Sequence, residues 1–192
     1  MAIEFDAKNT VITPEAVLII GTYDENGVPN AMNAAWGTQT DFSEITISLS
    51  QHKTTDNIEK TGAFTVTFGT VDTVTISDYF GVETGRKINK IAKAGCHVRK
   101  SAHVNAPIIE EYPLTLECIC KSWNADTGIL VGEIVAQQAD ESVITDGKID
   151  LDKLKPIIYD SSIHAYRSVG PVIATAFSEG FKIKKAVEKW DN

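Results

Sequence analysis

The amino-acid sequence predicts a mainly β protein, built as a closed antiparallel barrel with a few short flanking helices. Short apolar or alternating runs recur along most of the 192-residue chain, separated by turn-forming Asn, Asp and Gly residues. Long helices between successive strands, which a parallel sheet requires, are missing. Closure into a barrel would leave no strand edge exposed to solvent.

The first half of the chain carries most of the strand patterns. Residues 17–23 are an apolar run, and Asn26-Gly27 follows them as a hairpin signal. Residues 29–40 are rich in Ala, Asn and Gly, so we expect a strand at their start and irregular backbone at their end. Residues 44–50 and 63–68 alternate between polar and apolar side chains, as half-buried strands do.

Two helical stretches interrupt these strands. Residues 56–60 are predicted to form a short helix, because Asp56 has capping-box spacing to an acidic residue three positions later and Gly62 can close the C-terminus. Residues 75–95 are predicted to form two helical pieces, with breaks at Gly81 and Gly85. The second piece ends at Gly95 in a C-cap position.

Strand patterns return in the second half. Residues 114–123 and 129–137 flank a turn-rich link and are predicted to form a hairpin. Residues 143–148 are expected to add a small strand and turn, and residues 152–154 a helical turn. The segment 159–192 has the least clear pattern.

Composition limits the class of protein. The chain contains no linker, repeat or low-complexity tract, so we predict one domain over residues 1–192. A net charge of −8 argues against a surface that binds nucleic acid. No apolar run approaches the roughly 20 residues of a membrane span. The acidic N-terminus lacks the pattern of a secretory signal, so a cytoplasmic location is expected.

Three cysteines do not indicate a disulfide framework. Cys118 and Cys120 share one face of a predicted strand with Leu114 and Leu116, so both thiols are predicted to point into the core as small apolar groups. The alternatives are a redox pair, or a metal site formed with Cys96, His97 and His103. Their spacing matches no common zinc pattern, so we predict no metal.

Standard nucleotide and hydrolase fingerprints are absent, namely G-x-G-x-x-G, the P-loop, G-x-S-x-G and HExxH. A polar stretch, residues 48–55, instead leaves a predicted strand and enters a predicted helix. Its hydroxyls, its lysine and the free amides of the helix N-terminus suit a phosphate. An ordinary solvated turn with Thr55 or Asp56 as its cap is the alternative.

The segment 30–38 is unusual for a strand because small residues surround Trp36. Small side chains let another surface approach the backbone closely, and the indole offers a flat face with an N–H donor. A core tryptophan packed beside alanines explains the pattern equally well.

Ten segments of the chain together form a recognisable pattern, namely residues 14–30, 33–37, 47–50, 53–58, 62–66, 78–81, 84–86, 106–110, 116–118 and 131–134. No single motif is decisive, but the order and spacing of these matching segments are specific. Through them the sequence resembles the flavoredoxin and flavin reductase-like family over residues 14–166.

This resemblance implies a split β-barrel that binds flavin mononucleotide (FMN), usually as a homodimer with the flavin near the subunit interface. Matching positions imply that the ring or ribityl chain is bordered by Asn33, Ala35 and Trp36. They imply that the ribityl chain and phosphate lie along the loop formed by Ser48, Leu49, Ser50, Lys53, Thr54 and Thr55. Lys90 and Tyr166 match further residues close to the flavin. Relatives often carry Arg in the phosphate loop, where this chain has Gln51, His52 and Lys53.

The expected function is that of an FMN-dependent oxidoreductase. NAD(P)H would deliver hydride to the bound flavin, and electrons would pass to a second acceptor, either a small molecule or a protein. The alternatives are an electron-transfer protein reduced by a partner protein, and a flavin-binding module without turnover. No catalytic acid or base is assigned, although His52 or His164 could move protons.

Overall fold

The computed structural model describes residues 2–6 and 12–187. Fourteen strands lie within this part of the chain. They are β1 (Glu15–Ala16), β2 (Leu18–Tyr23), β3 (Pro29–Ala34), β4 (Gly37–Asp41), β5 (Glu44–Ser48), β6 (Ala63–Phe68), β7 (Val98–Lys100), β8 (Pro107–Ile109), β9 (Leu114–Asn124), β10 (Ile129–Ala139), β11 (Ile144–Thr145), β12 (Lys148–Ile149), β13 (Ile157–Asp160) and β14 (Ala165–Ser168).

The helices are short and lie between strands. They are α1 (Lys53–Thr61), α2 (Val74–Val82), α3 (Lys90–Ala94), α4 (Leu151–Leu154) and α5 (Phe181–Val187), with a 3-10 turn at Glu141–Val143. No helix in the described ranges is both long and apolar enough to cross a membrane.

Seven strands form one antiparallel sheet in the order β3-β2-β6-β9-β10-β5-β4. The sheet curls into a half-barrel, which confirms the mainly β split-barrel class. It is not closed as the strand pattern alone predicted, because β3 and β4 are edges that do not pair with each other. The buried face is apolar and includes Ile20, Ile47, Phe64 and Leu130, each fully buried.

The predicted β2–β3 hairpin is confirmed. Gly27 adopts a φ of 75°, which favours glycine, and the Asp24 carboxylate accepts hydrogen bonds from the amides of Asn26 and Val28 at 2.9 Å each. The β9–β10 hairpin is also confirmed. The expected irregular backbone near residue 40 is wrong: β4 forms there, because its backbone pairs with β5 although its side chains do not alternate in burial.

Helix α1 begins earlier than predicted. It starts at Lys53 with His52 as its N-cap, so Asp56 does not cap it. The Thr55 hydroxyl instead accepts from the His52 amide and donates to the His52 carbonyl, both at 2.9 Å. The predicted C-cap is confirmed, since Gly62 has a φ of 67° and donates its N–H to Ile58.

The two helical pieces predicted within residues 75–95 also differ in detail. Helix α2 continues through Gly81 to Val82, and the segment before α3 is a turn, so the second helix has only five residues. Gly95 ends α3 with a φ of 72°, as predicted. Both α2 and α3 pack against β3, which places their side chains beside that edge strand.

The cysteines behave as the strand pattern predicted. Cys118 is fully buried, and Cys120 is partly buried against the same core cluster. Burial, and secondarily the nearby Glu117, raises the pKa of Cys118 to about 12, so its thiol stays neutral. Among the residues that the structure describes, no three His, Cys, Asp or Glu side chains are grouped as metal ligands.

A second, three-stranded sheet, in the order β1-β13-β14, flanks the barrel near β3 and α2. The chain then leaves β14 at Ser168, and every residue from 167 to 184 is exposed.

Candidate functional site

Two cavities adjoin beside β3 and share Asn33, Gly81 and Val82 in their walls. The first, of about 210 Å³, lies between β3, the start of α1 and the loop after α2. The second, of about 380 Å³, lies between β3, α2 and the β13–β14 hairpin. Together they form one cleft that runs from the N-terminus of α1 to the flanking sheet.

Three cationic side chains line the first cavity, namely Lys53, Arg86 and Lys90. The Lys53 ammonium lies 3.4 Å from the Asp24 carboxylate, and the Arg86 guanidinium lies 2.7 Å from that of Asp56. The first amides of a helix have no partners within the helix, so the start of α1 adds further positive potential. This end of the cleft suits an anion.

Lys90 is the buried member of this group, with 4% of its surface exposed. Its ammonium donates a hydrogen bond to the Phe80 carbonyl at 2.8 Å. Burial lowers the pKa of Lys90 to about 8, and the nearby Glu83 opposes this shift only in part. A bound anion would favour the charged form of Lys90.

His52 lines the same cavity at the N-cap of α1. Partial desolvation lowers the pKa of its imidazole, and the positive charges of Lys90 and Arg86 lower it further. At neutral pH the imidazole is therefore mainly uncharged, and the positive charges that line the cavity are those of its two lysines and its arginine, beside the carboxylate of Glu83.

Asn30 and Thr54 fix the wall between β3 and α1. The Asn30 amide donates to the Thr54 hydroxyl at 2.8 Å, and both side chains are buried. Gly85 packs directly over this pair, because a Cβ there would lie only 2.1 Å from the Asn30 Oδ1. The loop that carries Arg86 can therefore approach β3 only with glycine at position 85.

Hydrogen-bonded aromatic side chains line the second cavity. The Tyr166 hydroxyl donates to Asp78 at 2.8 Å, and the Tyr159 hydroxyl is 2.7 Å from the His164 Nδ1. Burial, and then the Asp78 carboxylate, raises the pKa of Tyr166 to about 12. The Asn33 amide donates to the Ser77 carbonyl at 2.9 Å, which fixes β3 to α2.

Gly81 forms the neck between the two cavities. A Cβ at this position would lie 3.3 Å from the Asn33 Cβ, tighter than an ordinary contact. Any side chain on Gly81 would therefore intrude where the cavities meet. Because Gly81 has no side chain, the end of the cleft that suits an anion is continuous with its aromatic end.

The cleft brings together six of the eleven residues predicted for the cofactor site. They are Asn33, Ala35, Lys53, Thr54, Lys90 and Tyr166.

The other five lie outside the cleft, for separate reasons. Trp36 and Ser48 line a neighbouring groove, where the Ser48 amide donates to the Trp36 carbonyl at 2.7 Å. The side chain of Leu49 is buried in the barrel core, and Ser50 is exposed in the following loop. The Thr55 hydroxyl is directed to the backbone of His52.

Sequence reasoning did not assign Arg86, Asn30, Asp78 or Tyr159 to the site. Arg86 brings a guanidinium to the first cavity and lies in the matching segment 84–86. Asn30 and Asp78 also lie in matching segments, whereas Tyr159 lies in the stretch with the least clear pattern.

A family model described as "Flavin reductase like domain" matches residues 11–162. Flavoredoxin of Desulfovibrio vulgaris (Miyazaki F) is 32% identical, with 94% of this chain and 100% of that chain covered and a TM-score of 0.89. Flavoredoxin from Methanosarcina acetivorans is 26% identical, with 95% and 99% covered and a TM-score of 0.86. No curated protein matches the chain.

More distant structures share the fold. Nitrilotriacetate monooxygenase component B from Bacillus cereus is 17% identical, with 91% of this chain and 99% of that chain covered and a TM-score of 0.79. The family match and the identity to the first flavoredoxin together show that this chain belongs to the flavin reductase-like family.

Proposed function

We propose that this chain binds FMN in the cleft, with the phosphate in the first cavity and the flavin ring in the second. One observation carries the proposal: three cations surround a polar cavity at the start of α1, and this cavity opens at Gly81 into an aromatic one. A ligand with an anionic end and a flat ring matches that arrangement.

The residues present fit such a ligand. Lys53, Thr54 and Arg86 would hold the phosphate, because an ammonium, a hydroxyl and a guanidinium fork are its usual partners. Asn33 and Tyr166 would border the ring. The remaining predicted contacts, at Trp36, Ser48, Leu49, Ser50 and Thr55, rest on the sequence pattern and the family resemblance.

The proposed activity is that of an FMN-dependent oxidoreductase. The flavin, when bound, supplies hydride and electron transfer, while the protein binds and orients it. Tyr166 and Tyr159 are held by Asp78 and His164, so they would shape the face on which NAD(P)H and then a second acceptor could lie. The second acceptor is proposed to be a small molecule or a protein.

We also propose that the chain is a homodimer. The groove beside Trp36 has a volume of about 780 Å³ and mainly apolar walls. Trp36 is 68% exposed there, and exposed apolar surface of this kind marks association sites. A cytoplasmic location remains a prediction from the N-terminal sequence.

The test begins with the absorbance spectrum of the purified protein and identification of any flavin released by acid. FMN should be found, and anaerobic NADH or NADPH should bleach it. Arg86→Gln should lose the flavin more readily than Arg99→Gln, a matched change of an arginine outside the cleft. A colourless protein that also ignores added FMN would refute the binding proposal.

An electron-transfer protein is the second candidate, and two similar structures that bear the name flavoredoxin favour it. The bleaching experiment separates the oxidoreductase from the electron-transfer protein. An electron-transfer protein would hold FMN, but neither NADH nor NADPH would bleach that flavin. Reduction by dithionite and reoxidation by an electron-transfer partner would then be expected. Flavin that undergoes neither reaction would indicate a binding module without turnover.

A further inference from the structure

Residues 170–187 are here called the C-terminal arm, and the apolar side chains of residues 170–184 contact little of their own barrel. All residues of the arm up to Lys184 are exposed. Its largest apolar side chains are 54–98% exposed, namely Val172, Ile173, Phe177, Phe181 and Ile183. Exposed apolar surface of this extent normally marks a contact with another surface.

A receiving surface of matching chemistry lies on the barrel. It is the groove beside Trp36, here called the Trp36 groove, whose walls include Pro14, Ala16, Ala35 and Ile129. Its lining residues include none from the arm. Within residues 2–6 and 12–184 of a single chain, both the arm and the groove therefore leave apolar surface uncovered.

From this pair of surfaces we infer that the C-terminal arm of one chain packs into the Trp36 groove of a second copy. The inference rests on the proposed homodimer and deepens it, because it names the segment and the groove that meet. Reciprocal exchange of the two arms would bury both surfaces in a closed, symmetric pair.

Charge complementarity supports a second copy of this chain as the occupant. The arm contains three lysines and one glutamate. The Trp36 groove contains a carboxylate, that of the half-buried Glu15. An arm ammonium seated in the groove would form an ion pair with this carboxylate.

Lys182 and Lys184 are the candidate donors. Lys182 is bonded to Glu179 on the arm surface, and the Lys184 ammonium lies 5.9 Å from the centre of the Phe181 ring. Both ammonium groups therefore lie beside the apolar side chains that would enter the groove. An arm lysine could reach Glu15 while Phe181 and Ile183 are buried.

The contact would also affect the flavin cleft. Ala35 lines both the Trp36 groove and the second cavity. An arm seated in the groove would therefore border the ring end of the cleft in the other chain. The second copy would contribute to the site as well as to the stability of the pair.

Zero-length carbodiimide coupling of the full-length protein tests the contact. Isotopically heavy and light chains are mixed, unfolded and refolded together, then coupled and digested. We expect a Lys182–Glu15 or Lys184–Glu15 cross-link, with half of its population joining a heavy to a light chain. Glu15→Gln should abolish it, whereas Glu25→Gln, at an exposed turn, should not.

Sedimentation of variants provides the second test. Phe177→Ser combined with Ile183→Ser should raise the dimer dissociation constant at least about tenfold. The matched control, Val28→Ser with Val135→Ser, changes two exposed apolar residues outside both cavities and the groove. This control should leave the dimer dissociation constant unchanged.

The outcomes separate this inference from the function on which it rests. A wild-type protein that sediments as a monomer would refute the proposed dimer and the arm contact with it. A dimer with only same-isotope cross-links, or one that the double variant leaves equally tight, would overturn the arm contact alone. FMN binding is measured separately, and its outcome affects neither the test of the dimer nor the test of the arm contact.

Discussion

Tyr166 of β14 donates its hydroxyl to Asp78 of α2 at 2.8 Å, across 88 positions of sequence. This bond joins the flanking sheet to the helix that packs on the edge of the barrel. It also presents the Tyr166 ring to the second cavity, which Asn33 lines as well. The shape of the aromatic end of the cleft therefore depends on a contact between two elements distant in the chain.

Tyr166→Phe should weaken FMN and riboflavin equally, by about twofold to tenfold, because one hydrogen bond contributes about 0.5–1.5 kcal/mol. The equality is expected because the two ligands share the ring and differ only in the phosphate. Fluorescence titration of the apoprotein measures both affinities. Tyr23→Phe, on a tyrosine outside both cavities, is the control. A loss confined to FMN would assign Tyr166 to the phosphate end instead.

Arg86→Gln should weaken FMN by about tenfold or more while changing riboflavin little. A hydrogen bond from a charged donor contributes about 1.5–3 kcal/mol, and only FMN carries the anion that would receive it. The same change frees Asp56, which pairs with Arg86 at 2.7 Å, so some repulsion of the phosphate adds to the loss.

Arg86→Gln with Asp56→Asn removes that added repulsion and should recover part of the FMN affinity. The measurement is again titration with the two ligands. Equal weakening of FMN and riboflavin by Arg86→Gln would place the phosphate away from the first cavity.

FMN binding should depend on pH through Lys90. Its pKa in the free protein is lowered to about 8, so Lys90 is charged below that pH and progressively neutral above it. A phosphate nearby favours the charged form, and FMN affinity should therefore fall as the pH rises from about 7 to about 9.5. The Tyr166 hydroxyl, with a pKa of about 12, stays protonated over this range.

Isothermal titration at several pH values would measure this dependence. Lys90→Gln should bind FMN more weakly at pH 7 and should lose most of the pH dependence. Riboflavin serves as the control ligand, and its affinity should vary less. A wild-type affinity for FMN that stays constant up to pH 9.5 would exclude Lys90 from the phosphate environment.

The longer strands β2, β5, β6, β9 and β10, the β2–β3 hairpin and the glycine C-caps could be predicted because local patterns determine them. Strand β4 could not, since Thr38 and Thr40 are exposed and its existence depends on backbone pairing with β5. Arg86 joins Lys53 only because α2 and α3 pack on β3, and no local pattern encodes that packing. Six of the eleven predicted site residues therefore lie in the cleft, and the family resemblance was the main guide to them.

Thr54 and Thr55 are adjacent and both are 1% exposed, yet their hydroxyls have different partners. The Thr55 hydroxyl bonds the backbone of His52, whereas the Thr54 hydroxyl accepts from Asn30 in the wall of the first cavity. Thr55→Ala should therefore lower the free energy of unfolding by about 1 kcal/mol, the usual cost of a lost cap, and should leave the FMN affinity of the folded protein nearly unchanged.

Thr54→Ala should weaken FMN binding, because it removes a cavity hydroxyl and leaves the Asn30 amide without its acceptor. Thr54→Ser retains the hydroxyl and should restore most of the affinity, which separates hydrogen bonding from packing. Urea unfolding and FMN titration of the three variants give the two quantities independently. If Thr55→Ala lost FMN affinity while keeping wild-type stability, its hydroxyl would have to leave His52 and bind the phosphate, as the sequence alone first suggested.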